Sequence, residues 1–253
     1  MHAVIFGIVE GLTEFLPVSS TGHLILTAKL LGLPQTEFMK SFEIAIQVGA
    51  ILGVSLLYWR SFLKDFETLK RVFAAFLPTA VIGFLLYKII KHTLLAGTSV
   101  VLWSLFLGGI ALILFDRFHP KTDNTIQQTK QIPLSKAAAI GLAQSISVIP
   151  GVSRSGATIL GGLMLGIDRK TTVEFSFLLA APTLLAATVL DLFRSAPSFE
   201  SSQWPLLFTG IVVSFIVAIF SMKFFIGFVQ KHGFIAFGIY RIALAIVFWT
   251  FVR

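Results

Sequence analysis

The sequence predicts an all-α polytopic membrane protein with six transmembrane helices plus two re-entrant helical hairpins arranged as an inverted repeat. Three observations carry that expectation. The chain has 253 residues, 56% of them hydrophobic and 13% charged, about half the charged share usual in soluble domains. Its apolar runs are long and lack the period-2 alternation of barrel strands, which leaves helices as the spanning element. Two of those runs are broken midway by proline and hydroxyl clusters, 17-PVSSTGH-23 and 150-PGVSRSGAT-158.

Each element follows in order. The opening MHAVIFGIVEGLTEF has two glutamates and no basic leader, so it is not expected to be a cleaved signal peptide. Residues 3–16 and 21–33 are too short to cross the bilayer, because 14 helical residues rise only about 20 Å against about 30 Å of hydrocarbon. Between them, Pro17 stops one helix and Ser19 and Ser20 cap the next. The predicted spans are 41–60, 72–91 and 98–117, then 173–193, 204–222 and 235–252. Residues 134–149 and 155–167 repeat the short-turn-short pattern around Pro150. Non-helical backbone at that depth requires burial in protein or a wet cavity.

The whole of 1–253 reads as one membrane domain, with repeat 1 over about 1–118, a polar linker at 119–133 and repeat 2 over 134–253. Residues 7–26 align without a gap on 141–160 at an offset of 134, with six of twenty positions identical. The identities include Gly7/Gly141, Ser19/Ser153 and Gly22/Gly156, and Glu10 meets Gln144. Three full crossings separate the two hairpins. An odd number makes the second enter from the opposite face, as in transporters with inverted repeats. The two tips then overlap near the midplane and form one site.

The net charge of +8 sits in short loops between apolar runs, so it indicates topology and lipid headgroups rather than nucleic acid. Twelve Lys and Arg residues, among them Arg60, Arg71, Arg117 and Lys136, fall on one side, and six, among them Lys29, Lys40 and Lys91, on the other. The richer side is assigned to the cytoplasm, so the first hairpin enters from outside. No cysteine is present, which excludes disulfides and thiolate chemistry.

Glu10 and Glu14 share a helix face; a deep carboxylate pair is costly and suits a divalent cation or a general base. Ser19 and Ser20 open a helix where anions collect, and His23 follows three residues on. On the second tip Arg154 sits at a helix N-terminus against the dipole and needs an anion. That anion is either Glu10 or Glu14, or a phosphate held with Ser153 and Thr158. Glu43 and Gln47 are expected to support the site, Arg241 to neutralise an acid or touch a headgroup, and Asp191 with Arg194 to form an interface ion pair.

The two stretches Glu10–His23 (EGLTEFLPVSSTGH) and Pro150–Thr158 (PGVSRSGAT) resemble both signature motifs of bacterial undecaprenyl-diphosphate phosphatases of the bacitracin-resistance type, and the similarity extends over nearly the whole chain. The resemblance implies hydrolysis of undecaprenyl diphosphate to undecaprenyl phosphate and inorganic phosphate, recycling the lipid carrier of cell-wall polymers. It implies dependence on a divalent cation, Mg2+ or Ca2+, for which Glu10 and/or Glu14 are the expected ligands. The implied functional positions are Glu10, Glu14, Ser19, Ser20, His23, Ser153, Arg154 and Thr158. The expected place is the bacterial cytoplasmic (inner) membrane with the active site open to the periplasm; a homodimer is left open. For the nucleophile the expectation is Ser20 activated by Glu14 and assisted by His23, followed by His23 itself and then water. The rival class is an inverted-repeat transporter or flippase of an isoprenyl phosphate or other anion.

Overall fold

A computed structural model describes residues 1–89, 98–118, 125–195 and 199–251. Among the described residues the regular structure is helical, apart from one isolated bridge between Ile126 and Ile167. Two short helices come first, α1 (His2–Thr13) and α2 (Ser20–Leu30). The first predicted span is bent at Ile46 into α3 (Glu37–Ala45) and α4 (Gln47–Leu57), followed by the short α5 (Trp59–Lys64). Then come α6 (Phe66–Ile89) and α7 (Thr98–Phe118). The second half has α8 (Leu134–Gln144), α9 (Arg154–Met164), α10 (Arg169–Ser195), α11 (Trp204–His232) and α12 (Ile235–Phe251).

Among the described residues, five helical stretches are long and apolar enough to cross a membrane. They are Glu37–Leu57, Phe66–Leu86, Thr98–Phe118, Arg169–Asp191 and Ser201–His232. The expected sixth, α12, has 17 residues, a rise of about 25 Å. The stretch Phe66–Leu86 is only 17% buried, and Phe73, Phe84, Leu85, Phe208 and Phe220 are all exposed. Large aromatic and aliphatic side chains displayed in such number require an apolar surrounding, so the protein is a multi-pass membrane protein.

The broken segments end as their residues dictate. Pro17 cannot continue α1, and Ser19 accepts from the Gly22 amide at 3.3 Å to start α2. In the second segment a 3-10 turn at Ser145–Val148 follows α8, and Ser153 accepts from the Gly156 amide at 3.0 Å to start α9. The two aligned serine–glycine pairs therefore make the same side-chain capping bond, on different backbones, with φ of 73° at Ser19 and -67° at Ser153.

Helix α1 packs on α11, α8 on α6, α7 on α12, and α4 on both α10 and α11. Gly7 and Gly141 make two of these contacts close. A Cβ on Gly7 would stand 2.7 Å from the Gly210 carbonyl oxygen of α11, and one on Gly141 would overlap the Ala75 carbonyl of α6. The outer ends of α1 and α2 gather with Phe38 and Phe199 around Ala3, Phe6 and Ala28. The outer ends of α8 and α9 gather with Tyr58, Phe62 and Val72 around Ile132 and Ile167. Phe175 belongs to the second group and Phe199 to the first, so the groups lie towards opposite ends of α10. Between them a core of Phe15, Val18, Ala50, Ile159, Phe177 and Phe225 supports both turns. The linker continues past its first residues, which lie outside the described ones, and is pinned where Arg71 Nε donates to the Ile132 carbonyl at 2.7 Å.

Candidate active site

The two turns touch. The hydroxyls of Ser155 and Ser153 both donate to the Leu16 carbonyl, at 2.7 and 3.3 Å, and their oxygens lie 2.9 Å apart. That contact carries Arg154, which follows Ser153, into reach of α1. Its Nη2 pairs with Glu14 Oε1 at 2.7 Å, while Nη1 donates to the Ser176 carbonyl of α10 at 2.9 Å. The other Glu14 oxygen, Oε2, accepts a short hydrogen bond from the Ser20 hydroxyl. One carboxylate thus joins a guanidinium from the second half to a serine from the first. Arg154 Nε is buried without an acceptor, so the guanidinium keeps a donor for a further anion.

Glu14, Ser19, Ser20, Ser153 and Arg154 line a cavity of about 590 Å³. Its wall is otherwise largely apolar, with Phe76, Ala80 and Phe84 from α6 and Leu184, Ala187 and Leu190 from α10. Lys40, Gln47 and Asp191 also line it, and Lys40 is ion-paired with Glu37 at 2.9 Å. Gln47, expected to support the site, thus lines the same cavity. Glu43 is buried beside it and accepts from Gln35 Nε2 at 3.0 Å. The side chain of Arg194, expected to pair with Asp191, lies outside the described residues.

Three predicted site residues stand behind the cavity wall. Glu10 is 0% exposed and lies beside Glu14, and neither of its oxygens meets a donor from another group. Two acids so placed are reconciled by a shared proton or a cation. His23 directs Nδ1 to the Ser19 carbonyl at 2.7 Å and Nε2 to the Tyr240 hydroxyl at 2.8 Å. Thr158 Oγ1 reaches the Ser176 hydroxyl at 2.5 Å and donates locally to the Ser155 carbonyl. It thereby braces the residue whose carbonyl holds Arg154.

The expectation for Arg241 is corrected. Its guanidinium is 2% exposed and donates to four backbone carbonyls, those of Leu105, Pro17, Ser104 and Gly151. No acid is among these partners, and its burial rules out a headgroup. Tyr240 and Ser176 escaped the sequence reading altogether. Both are ordinary polar residues within apolar helices, far from the motifs, and only their contacts distinguish them.

Two carboxylates and several hydroxyls suit the Mg2+ mode, in which one or two acids and substrate phosphates share the ion. Among the described residues no group of three or more His, Cys, Asp and Glu is assembled. An all-protein Ca2+ cage would need more ligands than Glu10 and Glu14 supply.

The chain matches the family model described as bacitracin resistance protein BacA over residues 3–247. It is 52% identical over 250 residues to the undecaprenyl-diphosphatase of Aquifex aeolicus (strain VF5), covering 99% of this chain and 97% of that relative. It is 52% identical over 252 residues to that of Persephonella marina (strain DSM 14350 / EX-H1), covering 100% and 98%. The undecaprenyl-diphosphatase of Bdellovibrio bacteriovorus (strain ATCC 15356 / DSM 50701 / NCIMB 9529 / HD100) is 47% identical over 247 residues, covering 98% and 94%.

Proposed function

Because the chain belongs to the bacitracin resistance protein BacA family, we propose that it is a membrane phosphatase that hydrolyses undecaprenyl diphosphate to undecaprenyl phosphate and inorganic phosphate. The observation that carries this reading is the junction at Glu14, where one oxygen takes the Ser20 hydroxyl and the other Arg154, on the wall of a cavity with apolar flanks. A diphosphate head fits the polar end and an isoprenyl tail the flank of α6 and α10.

Ser20 is the nucleophile. Glu14 takes its proton as the serine oxygen bonds to the terminal phosphorus, and the phosphoanhydride bond breaks to release undecaprenyl phosphate. Glu14 passes that proton to the departing undecaprenyl phosphate; water then attacks the phosphoserine, Glu14 takes a proton from the water, and inorganic phosphate leaves as Glu14 returns this proton to Ser20. Arg154 turns its free Nε and a fork nitrogen onto the transferring group, and Ser19 and Ser153 lie within the same cavity wall. Positioning and charge neutralisation supply most of the acceleration in such transfers. His23 is occupied at both nitrogens and is not a wall residue, which favours Ser20 over it as nucleophile. Glu10 and Glu14 are the acids that would hold a Mg2+ ion, whose chemistry is to neutralise phosphoryl charge.

The chain is arranged as two inverted halves, six crossings with α12 as the shortest, in the bacterial inner membrane. Support comes from the matching partners of α1 and α8, the equal side-chain capping bonds, and the opposite ends reached by the two hairpins. The cavity includes Lys40 and Asp191, near the end poorer in basic residues, and so opens to the periplasm.

Purified protein in detergent tests the activity. Phosphate release from undecaprenyl diphosphate is expected without a sealed membrane, lost with a chelator and restored by Mg2+. A rapid acid quench should trap acid-stable phosphoserine at Ser20. A flippase acting only by transport would release no phosphate, and that result overturns the reading.

A further inference from the structure

The last helix reaches the first turn with two adjacent side chains that belong to neither motif. Tyr240 stacks on His23, with rings 9° from parallel and centroids 5.6 Å apart, and its hydroxyl lies 2.8 Å from Nε2. Across the ring, Nδ1 lies 2.7 Å from the Ser19 carbonyl oxygen. A carbonyl only accepts, so Nδ1 carries the hydrogen. In the neutral imidazole Nε2 then accepts from the tyrosine O–H.

The residue so gripped is unusual. Ser19 has φ of 73°, and among the described residues it is the one non-glycine with positive φ. Such a backbone is unfavourable and persists where surrounding contacts over-determine it. Two residues earlier, Arg241 Nη1 donates to the Pro17 carbonyl at 3.1 Å. The same guanidinium donates through Nη2 to Gly151 at 3.0 Å and Ser104 at 2.9 Å, and through Nε to Leu105 at 3.2 Å. It therefore joins the first turn, the second turn and α7. A Cβ on Gly108 of α7 would overlap this guanidinium, so α7 leaves it space.

We propose that Tyr240 and Arg241 are positioning residues of the hydrolysis. Tyr240 acts through His23 on the Ser19 carbonyl, and Arg241 acts on the Pro17 carbonyl. Together they hold the strained turn that aims the Ser20 hydroxyl at Glu14. Neither touches the substrate. The inference rests on Ser20 being the nucleophile of the phosphatase reading.

The test is steady-state phosphate release by detergent-purified wild type, Tyr240→Phe, His23→Ala and the double variant. Tyr240→Phe keeps the stacked ring and removes one hydrogen bond, so kcat should fall about 3–10-fold while KM stays within about twofold. The double variant should be no slower than His23→Ala alone, since both changes cut one connection. Arg241→Lys keeps the charge without the planar fork and should recover part of the kcat lost in Arg241→Ala. An inactive wild type would remove the phosphatase reading itself. With an active wild type, three results overturn the inference: unaltered turnover by Tyr240→Phe, losses that multiply in the double variant, or a change confined to KM.

Discussion

Glu14 holds its site by accepting on both oxygens at once, from Arg154 at 2.7 Å and from the Ser20 hydroxyl. A glutamine there presents an amide to one of two donors and cannot take a proton. Glu14→Gln should therefore lower initial-rate phosphate release by about 10²-fold or more. Glu43→Gln, where the native acid only accepts from Gln35 beyond the catalytic junction, should cost less than about tenfold in the same assay. Arg154→Ala removes the guanidinium proposed to hold the phosphate and should cost about 10²–10³-fold in kcat while the protein still inserts and elutes as a folded species. Thr158 touches Ser176, whose carbonyl holds Arg154. Thr158→Val should thus lower kcat about 3–10-fold, and Thr158→Ser, which keeps the hydroxyl, should restore it. Much of this site was legible because its acids, hydroxyls and arginine interrupt apolar runs. What the sequence could not tell was which of them face the cavity. Glu10, His23 and Thr158 belong to the same two motifs as Glu14, Ser20 and Arg154. Only side-chain direction separates a wall residue from one that braces it.

At the scale of elements, the short helices are held by close backbone approach rather than by length. Gly141 lets α8 settle on α6, since a Cβ there would overlap the Ala75 carbonyl, a backbone group with little freedom to yield. Gly83 on the same α6 has nothing within 4 Å of the Cβ position. Gly141→Ala should lower the thermal unfolding midpoint in detergent, by a destabilisation of about 1–3 kcal/mol. Gly83→Ala should leave it unchanged or raise it, because alanine is the better helix former. Equal effects at the two positions would mean that the α8–α6 contact is not tight. The alignment at an offset of 134 already paired Gly7 with Gly141, and their similar use against α11 and α6 gives that pairing a physical cause. Breaks at Pro17 and Pro150 were readable from the loss of an amide donor. The bend at Ile46 between α3 and α4 was not, because no proline marks it and Glu43, Gln47 and Gly49 around it do not by themselves break a helix.

At the scale of the whole molecule, orientation decides which leaflet delivers the substrate. The absence of cysteine makes every introduced thiol unique. Ser201 and Gln128 are both exposed. Ser201 lies near Phe199, at the end where α1 begins and α2 stops, and Gln128 near Ile126, at the end where α8 begins and α9 stops. In intact cells a membrane-impermeant maleimide should label Ser201→Cys, and it should label Gln128→Cys only after lysis. That pattern is the one the proposed orientation expects, with the end richer in basic residues in the cytoplasm. A reversed pattern would turn the cavity towards the cytoplasm, and the lipid diphosphate would have to be drawn from the inner leaflet while every side-chain contact at Glu14 stayed the same. Turnover in detergent cannot detect that difference, whereas labelling can, so chemistry and sidedness are separate tests of one molecule.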